Sequence, residues 1–200
     1  FIYVLSGFFE FMKKLIRVAA APSSLDRLLR GQLQFLNNYY EVVGVASPDK
    51  EMHKKISGRE GIRTVELKIE RRISLFKDLW SLIKLYLLFR KEKPDIVHSL
   101  TPKAGLLSML AARLARVPVR IHTFTGLIFP WENGQMSKLL KIMDRVTCMA
   151  ATTVIPEGEG VRRDLEDICP TNKLSKVLAN GNINGVNLEY FRPVPTVSDD

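Results

Sequence analysis

The side chains best placed for chemistry lie where short apolar runs end. His122 stands in Val119-Arg-Ile-His-Thr-Phe-Thr-Gly126, followed by the hydroxyl of Thr125 and the bare backbone of Gly126. An imidazole at a strand exit can donate a hydrogen bond to a ligand hydroxyl or move a proton near neutrality. Thr101 and Lys103 follow Ile96-Val-His-Ser-Leu100, and residues 157–160, with Glu157 and Glu159, follow Thr152-Thr-Val-Ile155. Pro22, Ser23 and Ser24 follow a first apolar run, and Ser47 follows a second. Ser24 and Thr101 read as helix N-termini, whose unpaired N–H groups favour an anion such as phosphate. Lys103 adds a full charge beside the second. Each residue also has a purely structural reading. Serine before a helix is an ordinary cap, Lys103 an ordinary solvated cation, and His122 a hydrogen-bonded imidazole. His98 lies inside its strand and reads as structural; His53, on a polar helix, reads as surface.

The elements that must hold these residues alternate. Pro94 stops the helix before it, because proline cannot continue a helix and biases its predecessor away from αR. Residues 95–99 then make a short strand, and Thr101-Pro102 opens a helix as N-cap and first-turn residue. That helix, 104–115, carries Leu106, Leu107, Met109, Leu110 and Leu114 nearly all round, which predicts burial. A strand over 117–124 completes a βαβ unit, and with it a parallel sheet with a right-handed crossover. Upstream come a strand at 15–20 and a helix from Ser24 carrying Leu25, Leu28, Leu29, Leu33 and Leu36. A strand at 41–47 follows, with a polar helix from Pro48-Asp49 to about Ile56, broken by Gly58 and Gly61. A strand at 62–69 and a long helix over 75–91 lead into the βαβ unit. Downstream come a loop at 127–134, a helix over 135–150, a strand at 152–155, a helix over 161–167 and a last strand at 176–178. The class is α/β, a Rossmann-like, mainly parallel sheet with helices on both faces. In such sheets ligands bind beyond the carboxyl ends of the strands, where the residues above collect.

Two hundred residues make one good-sized domain with ample core. A net charge of +9 and a pI near 9.7 favour an anionic partner: nucleic acid, a phosphorylated ligand or an anionic membrane. A solvated basic surface is the plain alternative. Cys148 and Cys169 show no CxxC spacing, which fits a reducing compartment without a disulfide framework. His53, His98 and His122 are too dispersed for a zinc site, so no metal is expected. No G-x-G-x-x-G follows the first strand and no G-x-x-x-x-G-K-[ST] occurs, which argues against a dehydrogenase or P-loop enzyme; G-x-S-x-G is missing too. Arg71-Arg72 and Arg162-Arg163 lack the interleaved aromatics of a nucleic-acid platform, so no nucleic-acid partner is expected. The basic residues suit a lipid surface better. Lys138, Lys141 and Arg145 alternate with Leu139, Leu140, Ile142 and Met143, and the long Trp80 helix ends in Arg90-Lys91. Ordinary packing of either helix on the sheet is the competing reading. Residues 1–11 form an apolar extension, too short to span a bilayer and without a basic n-region, and Met12-Lys-Lys-Leu15 reads as a natural start. The turn-rich tail from Asn180 to Pro193 and Pro195 suits a linker.

Lys93-Pro-Asp-Ile-Val-His98, Thr101-Pro-Lys-Ala-Gly-Leu-Leu107 and Val119-Arg-Ile-His-Thr-Phe-Thr-Gly126 together resemble the amino-terminal domain of family-four glycosyltransferases. These are retaining, metal-independent enzymes of the GT-B fold, many of which build bacterial capsule, O-antigen or exopolysaccharide. Leu25-Asp-Arg-Leu-Leu-Arg-Gly-Gln-Leu33, Val161-Arg-Arg-Asp-Leu165 and the segment from Asn180-Gly181 to Gly185-Val-Asn-Leu-Glu-Tyr-Phe-Arg-Pro193 are similar to further patterns of that family, in the family's order. The resemblance implies an acceptor-side domain over 12–193 and the start of an interdomain linker at 194–200. A carboxy-terminal donor domain, absent here, would bind the nucleotide-sugar, leaving this polypeptide silent alone. It implies that Pro22, Ser23, Ser24 and Gly126 face the donor, that His122 and Thr125 occupy the catalytic His-Thr-x-His-Gly segment, and that Thr101, Lys103 and Glu157 meet the acceptor. Thr125 stands where the family has a second histidine. Gly158 and Gly160 stand where it often has serines, so a helix cap is lost. The expected partners are a nucleotide-sugar co-substrate, a lipid-linked or saccharide acceptor and an anionic membrane surface; no separate cofactor is expected. The expected place is the cytoplasm, peripheral on the inner face of the plasma membrane. Two alternatives stay open. One is half of a GT-B sugar-nucleotide epimerase, for whose acid/base chemistry the crevice offers His122 and Glu157 or Glu159. The other is a non-enzymatic flavodoxin-like binding module, whose acidic strand ends are replaced here by Ala20-Ala-Pro-Ser-Ser24.

Overall fold

Runs of Val, Ile, Leu and Ala that are apolar at successive positions make strands buried on both faces, the mark of a parallel sheet. In the computed structural model, which describes residues 12–70, 73–185, 188, 189 and 191, six such strands pair in parallel. They are β1 (Lys14–Val18), β2 (Glu41–Ala46), β3 (Arg63–Glu66), β4 (Ile96–Leu100), β5 (Val119–Phe124) and β6 (Thr153–Pro156), in the order β3-β2-β1-β4-β5-β6. The helices are α1 (Pro22–Leu28), α2 (Gln32–Leu36), α3 (Lys50–Glu60), α4 (Leu75–Glu92), α5 (Pro102–Leu114), α6 (Gly134–Ala150) and α7 (Glu159–Glu166), with a 3₁₀ turn at Phe129–Trp131. The apolar extension at 1–11, Arg71-Arg72 and the linker at 194–200 lie outside the described residues.

Successive strand residues point to opposite faces, and the core divides accordingly. Ile16, Val18, Val43, Val45, Val97 and Phe124 pack on the side of α4, α5 and α6, with Leu85, Phe89, Leu107 and Cys148. Leu15, Ala19, Val42, Ala46 and Leu100 pack on the side of α1, α2 and α3, with Leu25, Leu29, Leu33 and Ile56. Helices therefore cover both faces, as expected. The apolar α5 packs between α4 and α6 with Leu107 and Met109 buried, but Leu106 and Leu110 are only half-buried and Leu114, expected inside, is exposed at the helix end. The sheet runs one way from β1 to β3 and the other way from β4 to β6, so the chain reverses between β1 and β4 and opens a crevice beyond their carboxyl ends.

The elements differ from expectation in local ways. The helix expected from Ser24 to Leu36 is two helices. Gly31, at φ 75°, turns the chain between them, and Glu60 accepts hydrogen bonds from the Gly31 and Gln34 amides at 3.1 and 3.0 Å. Burial pushes the Glu60 carboxyl up, but hydrogen bonds from Arg59 and these two amides outweigh it and hold its pKa below the usual range. The polar helix does not end near Ile56. Asp49 caps α3 by accepting from the Met52 amide at 3.0 Å, and the helix runs through Gly58 to Gly61. Residues 176–178 form no strand; Leu174 makes an isolated parallel bridge to Val154 instead.

Asp144 lies on the core side of α6 beside Thr147 and Cys148, and burial pushes its carboxyl up to about 7 from 3.8. A folded-state pKa above the unfolded one means that the folded chain holds the proton more tightly. The stability this contributes is complete below about pH 4 and is lost as pH rises toward 7. Asp144→Asn should match the parent near pH 4 and exceed it near pH 8 by roughly 4 kcal/mol, at about 1.4 kcal/mol per pH unit. Urea unfolding of both proteins across that range measures the gap; a gap independent of pH would contradict the burial argument.

Candidate functional site

Three loops meet at the carboxyl edge of the sheet. Ala20, Ala21 and Pro22 after β1 face Ser47 and Pro48 after β2 and Lys68, Ile69 and Glu70 after β3, around a concavity of about 670 Å³. Pro22 is the first residue of α1 and Ala21 its N-cap, without a side-chain cap. Ser23 and Ser24 are thus half-buried residues of the first turn rather than caps, as Ser24 was expected to be. Ser47 is committed to structure, donating to the Ile69 carbonyl at 3.1 Å and accepting from the Ile69 amide at 3.0 Å. His53, expected on the surface, is buried with Nε2 3.0 Å from the Ser47 carbonyl.

Thr101 is the N-cap residue of α5, as expected, but its side chain caps none of the helix amides. Its Oγ1 accepts from the Ala20 amide at 3.2 Å, which binds the end of β4 to the end of β1. To reach it the backbone takes φ 67° and ψ 138°, a region that costs a non-glycine residue about 1–3 kcal/mol. Lys103 was expected in the crevice. It is 8% exposed and turns to α4, with Nζ 2.6 Å from Asp78 Oδ1. The amino-terminal turns of α5 are buried, so its first-turn cation must be paired.

His122 likewise faces α5 and not the crevice. It is 1% exposed, with Nδ1 2.8 Å from Ser99 Oγ and its ring edge-on to Phe124 at 4.4 Å. Burial pushes its pKa down to about 3, so the ring is neutral in the physiological range. Gly105 makes the room: a Cβ there would come within 2.3 Å of His122 Cε1. Thr125 and Gly126 leave β5 half-buried at the sheet edge, with Gly126 at φ 137°. Glu157 follows β6, its carboxylate accepting from the Ile183 amide at 3.3 Å and its carbonyl from the Asn182 amide at 2.7 Å. Gly158 precedes α7 without a side-chain cap, as its residue type implies.

The structure therefore joins Pro22 to Ser47 in one concavity and draws Lys103 and His122 away to the helix side. Glu157 shares a second cavity, of about 220 Å³, with Arg17 of β1, which sequence reasoning passed over, His98 of β4 and Thr123 of β5. The signal for Arg17 was present, a lone cation inside Leu15-Ile-Arg-Val-Ala-Ala20. His98, read as structural, points into this cavity from the switch point, where it pairs in register with Arg17. Among the described residues no three His, Cys, Asp or Glu side chains cluster as for a metal ion, and Cys148 and Cys169 are free and buried.

Gly105→Ala should test the packing of His122 by its sign. In an open helix this change stabilises by about 1 kcal/mol; against a buried ring it should destabilise by roughly 1–3 kcal/mol. Urea denaturation of the two proteins decides it, and a stabilised variant would show that α5 and His122 are not in contact.

Comparison with known proteins gives these elements relatives. The capsular polysaccharide biosynthesis glycosyltransferase CapM of Staphylococcus aureus is 35% identical over 182 residues, 90% of this chain and 47% of its own. The UDP-Gal:alpha-D-GlcNAc-diphosphoundecaprenol alpha-1,3-galactosyltransferase of Escherichia coli is 37% identical over 131 residues, 64% of this chain and 33% of its own. The chain thus spans about half the length of the first relative and a third of the second. A glycosyltransferase from Rickettsia africae superposes with a TM-score of 0.65 at 18% identity, covering 92% of this chain and 47% of that one. A UDP-N-acetylglucosamine 2-epimerase superposes at 0.60 and 16%, covering 81% and 45%; at such identities the likeness is one of fold. Residues 27–157 match the glycosyl transferase 4-like family, and the chain belongs to it.

Proposed function

We propose that this chain is the acceptor-side half of a retaining glycosyltransferase that moves a sugar from a nucleotide-sugar donor to a lipid-linked or saccharide acceptor in cell-surface glycan synthesis. The observation that carries this reading is the identity to CapM, sustained over nine-tenths of the chain. The name of the Escherichia coli relative supplies the substrate classes, a UDP-linked sugar and a diphosphoundecaprenol-linked acceptor. In such a transfer the protein holds two substrates in line and stabilises the departing nucleoside diphosphate with cations and amide dipoles. Here the backbone around Pro22, Ser23, Ser24 and Gly126 faces the donor, with Lys68 and Lys77 on the rim of the concavity. Thr101, Thr125 and Glu157 line the acceptor's side. His122 acts from beneath by holding β5, and Lys103 by anchoring α5 to Asp78; neither exchanges a proton in this reading.

The chain alone should turn over no UDP-sugar. The full reading frame that encodes it should release UDP only when an undecaprenyl-diphosphate-linked sugar is present, with the extended glycolipid seen by mass spectrometry. Transfer by the chain alone would overturn the half-domain assignment. Epimerised sugar nucleotide formed without acceptor would replace transfer by epimerisation.

A membrane face belongs to the same proposal. Among the described residues no helix is long and apolar enough to cross a membrane. Two helices nevertheless present apolar side chains to solvent. On α4, Phe76 is 88% exposed and Leu79 and Trp80 more than half, with Lys84 5.4 Å from the Trp80 ring centre and Arg90-Lys91 at the helix end. On α6, Met136, Leu139 and Ile142 are exposed beside Lys138, Lys141 and Arg145. Aromatic and aliphatic groups fringed by cations suit an anionic lipid surface. The chain should sediment with phosphatidylglycerol-containing vesicles at low salt and leave them as salt approaches ~1 M, where screening shortens to about 3 Å. Failure to bind at low salt would remove the membrane from the proposal.

A further inference from the structure

Arg17 is 4% exposed at the centre of the sheet, on β1, between Gly44 of β2 and His98 of β4. Its Nη1 lies 2.6 Å from His98 Nδ1. A guanidinium has only donors, so His98 must accept through Nδ1 and carry its hydrogen on Nε2. Nε2 then donates to Thr123 Oγ1 at 2.8 Å, which leaves the threonine hydrogen free to point elsewhere. His98 supplies no negative charge: burial first, then Arg17 and His122, hold its pKa well below the ordinary value. Arg17 Nε has no hydrogen-bond partner at all. Its own pKa, lowered to about 10 by burial, carries no opposing contribution from any carboxylate. A charge in this position is costly unless something pairs with it.

What lies in front of it is a cavity. Arg17, His98 and Thr123 form its floor, and Gln32, Glu157 and Asn182 are among its walls. Its roof is the turn at 181–183, pinned by Gln32 Nε2 to the Ile183 carbonyl at 2.5 Å and by the Glu157 carboxylate to the Ile183 amide. At about 220 Å³ the space is smaller than the roughly 300–1,000 Å³ of ordinary ligand pockets, so it admits one charged group and not a whole nucleotide-sugar. Arg17 and His98 face each other across the β1–β4 switch point, where α/β sheets receive ligands.

We propose that this cavity is a binding site for a single oxyanion, a phosphoryl or carboxylate group, held by the Arg17 guanidinium and the Thr123 hydroxyl, with the neutral His98 as the strut that aims both. The anion is the missing counter-charge of Arg17. The site does not depend on the sugar-transfer reading. It requires only that an anionic group reach the cavity, and it can hold where transfer fails.

The test uses the chain itself, with inorganic phosphate in one arm and glucuronate in the other. Ionic strength is matched with sodium chloride, and binding is read by calorimetry and by the unfolding temperature. Saturable binding with a rise in Tm is expected, from phosphate if the group is a phosphoryl and from glucuronate if it is a sugar carboxylate. Arg17→Met should weaken binding by about 100-fold or more and Thr123→Val by about tenfold. The ligand-free Tm of Arg17→Met should be equal to the parent's or higher, because an unpaired buried charge has been removed. If Arg17→Met does not fold, Thr123→Val, which keeps the side-chain shape, carries the test alone. The proposal is overturned if neither anion binds, or if the anion response survives in Arg17→Met while the ligand-free Tm falls. It is equally overturned if the parent ignores both anions but Glu157→Gln responds, which would make Glu157 the internal partner of Arg17.

Discussion

The pairing of β1 with β4 is the constraint on which the rest of this structure depends. The two strands are in register from Leu15–Ile96 to Val18–Ser99. Nearly eighty residues separate them, so four helices and two further strands must be laid out before they meet. Every other strand pair follows the chain in order outward from this one. The join is sealed past the end of the ladder by Thr101, whose hydroxyl takes the Ala20 amide that would otherwise be left at the mouth of the crevice. The unfavourable backbone at Thr101 accompanies this bond, at the junction of β4 with α5.

Around that join the polar groups inside the fold meet two different fates. Glu60 receives two amides and Arg59, Lys103 receives Asp78, and His122 receives Ser99. Each is thereby converted from a desolvation penalty into a fixed point, one for α2, one for α5 and one for β5. All three lie against helices, and each needs nothing beyond the folded chain. Arg17 differs from these three, with a neutral imidazole as its only hydrogen-bond partner. It lies on the sheet face that, over β4 to β6, is covered by the turn near Asn182 and Ile183. For these four groups, pairing against a helix marks the three structural ones, and incompleteness beneath a turn marks Arg17.

The order of strands and helices, the parallel sheet and the burial of most of α5 were legible because they rest on long apolar periodicities. The loops that form the crevice were legible too, since Pro22, Thr101, Gly126 and Glu157 mark strand ends. What could not be read was parity. His122 and Thr123 are adjacent on β5, yet one faces α5 and the other the cavity, and the same one-residue alternation separates His98 from Ser99 on β4. In a strand buried on both faces the hydrophobic pattern does not say which side is which. The choice of His122 over His98 rested on distance from the strand end and on the family segment, and neither criterion reports which face of the strand a ring takes. The split of α1 from α2 escaped for a related reason: the leucines from Leu25 to Leu36 keep helical spacing across a turn that only Gly31 betrays.

Parity also limits what a polar residue at a strand centre can mean. A side chain at position 17 must enter the space between the sheet and whatever covers it, with no route to bulk water along the strand. Folding alone would be served at least as well there by Met or Leu, because an apolar side chain of similar size needs no partner. His98 and Thr123 could likewise be aliphatic without disturbing the ladder, since their backbone groups already pair. Instead the three residues form one chain of donors whose protonation states are fixed by the arginine. Such an arrangement makes sense energetically when the last donor in the chain has somewhere to point. The cavity beneath the turn at 181–183, which all three residues line, lies in front of it.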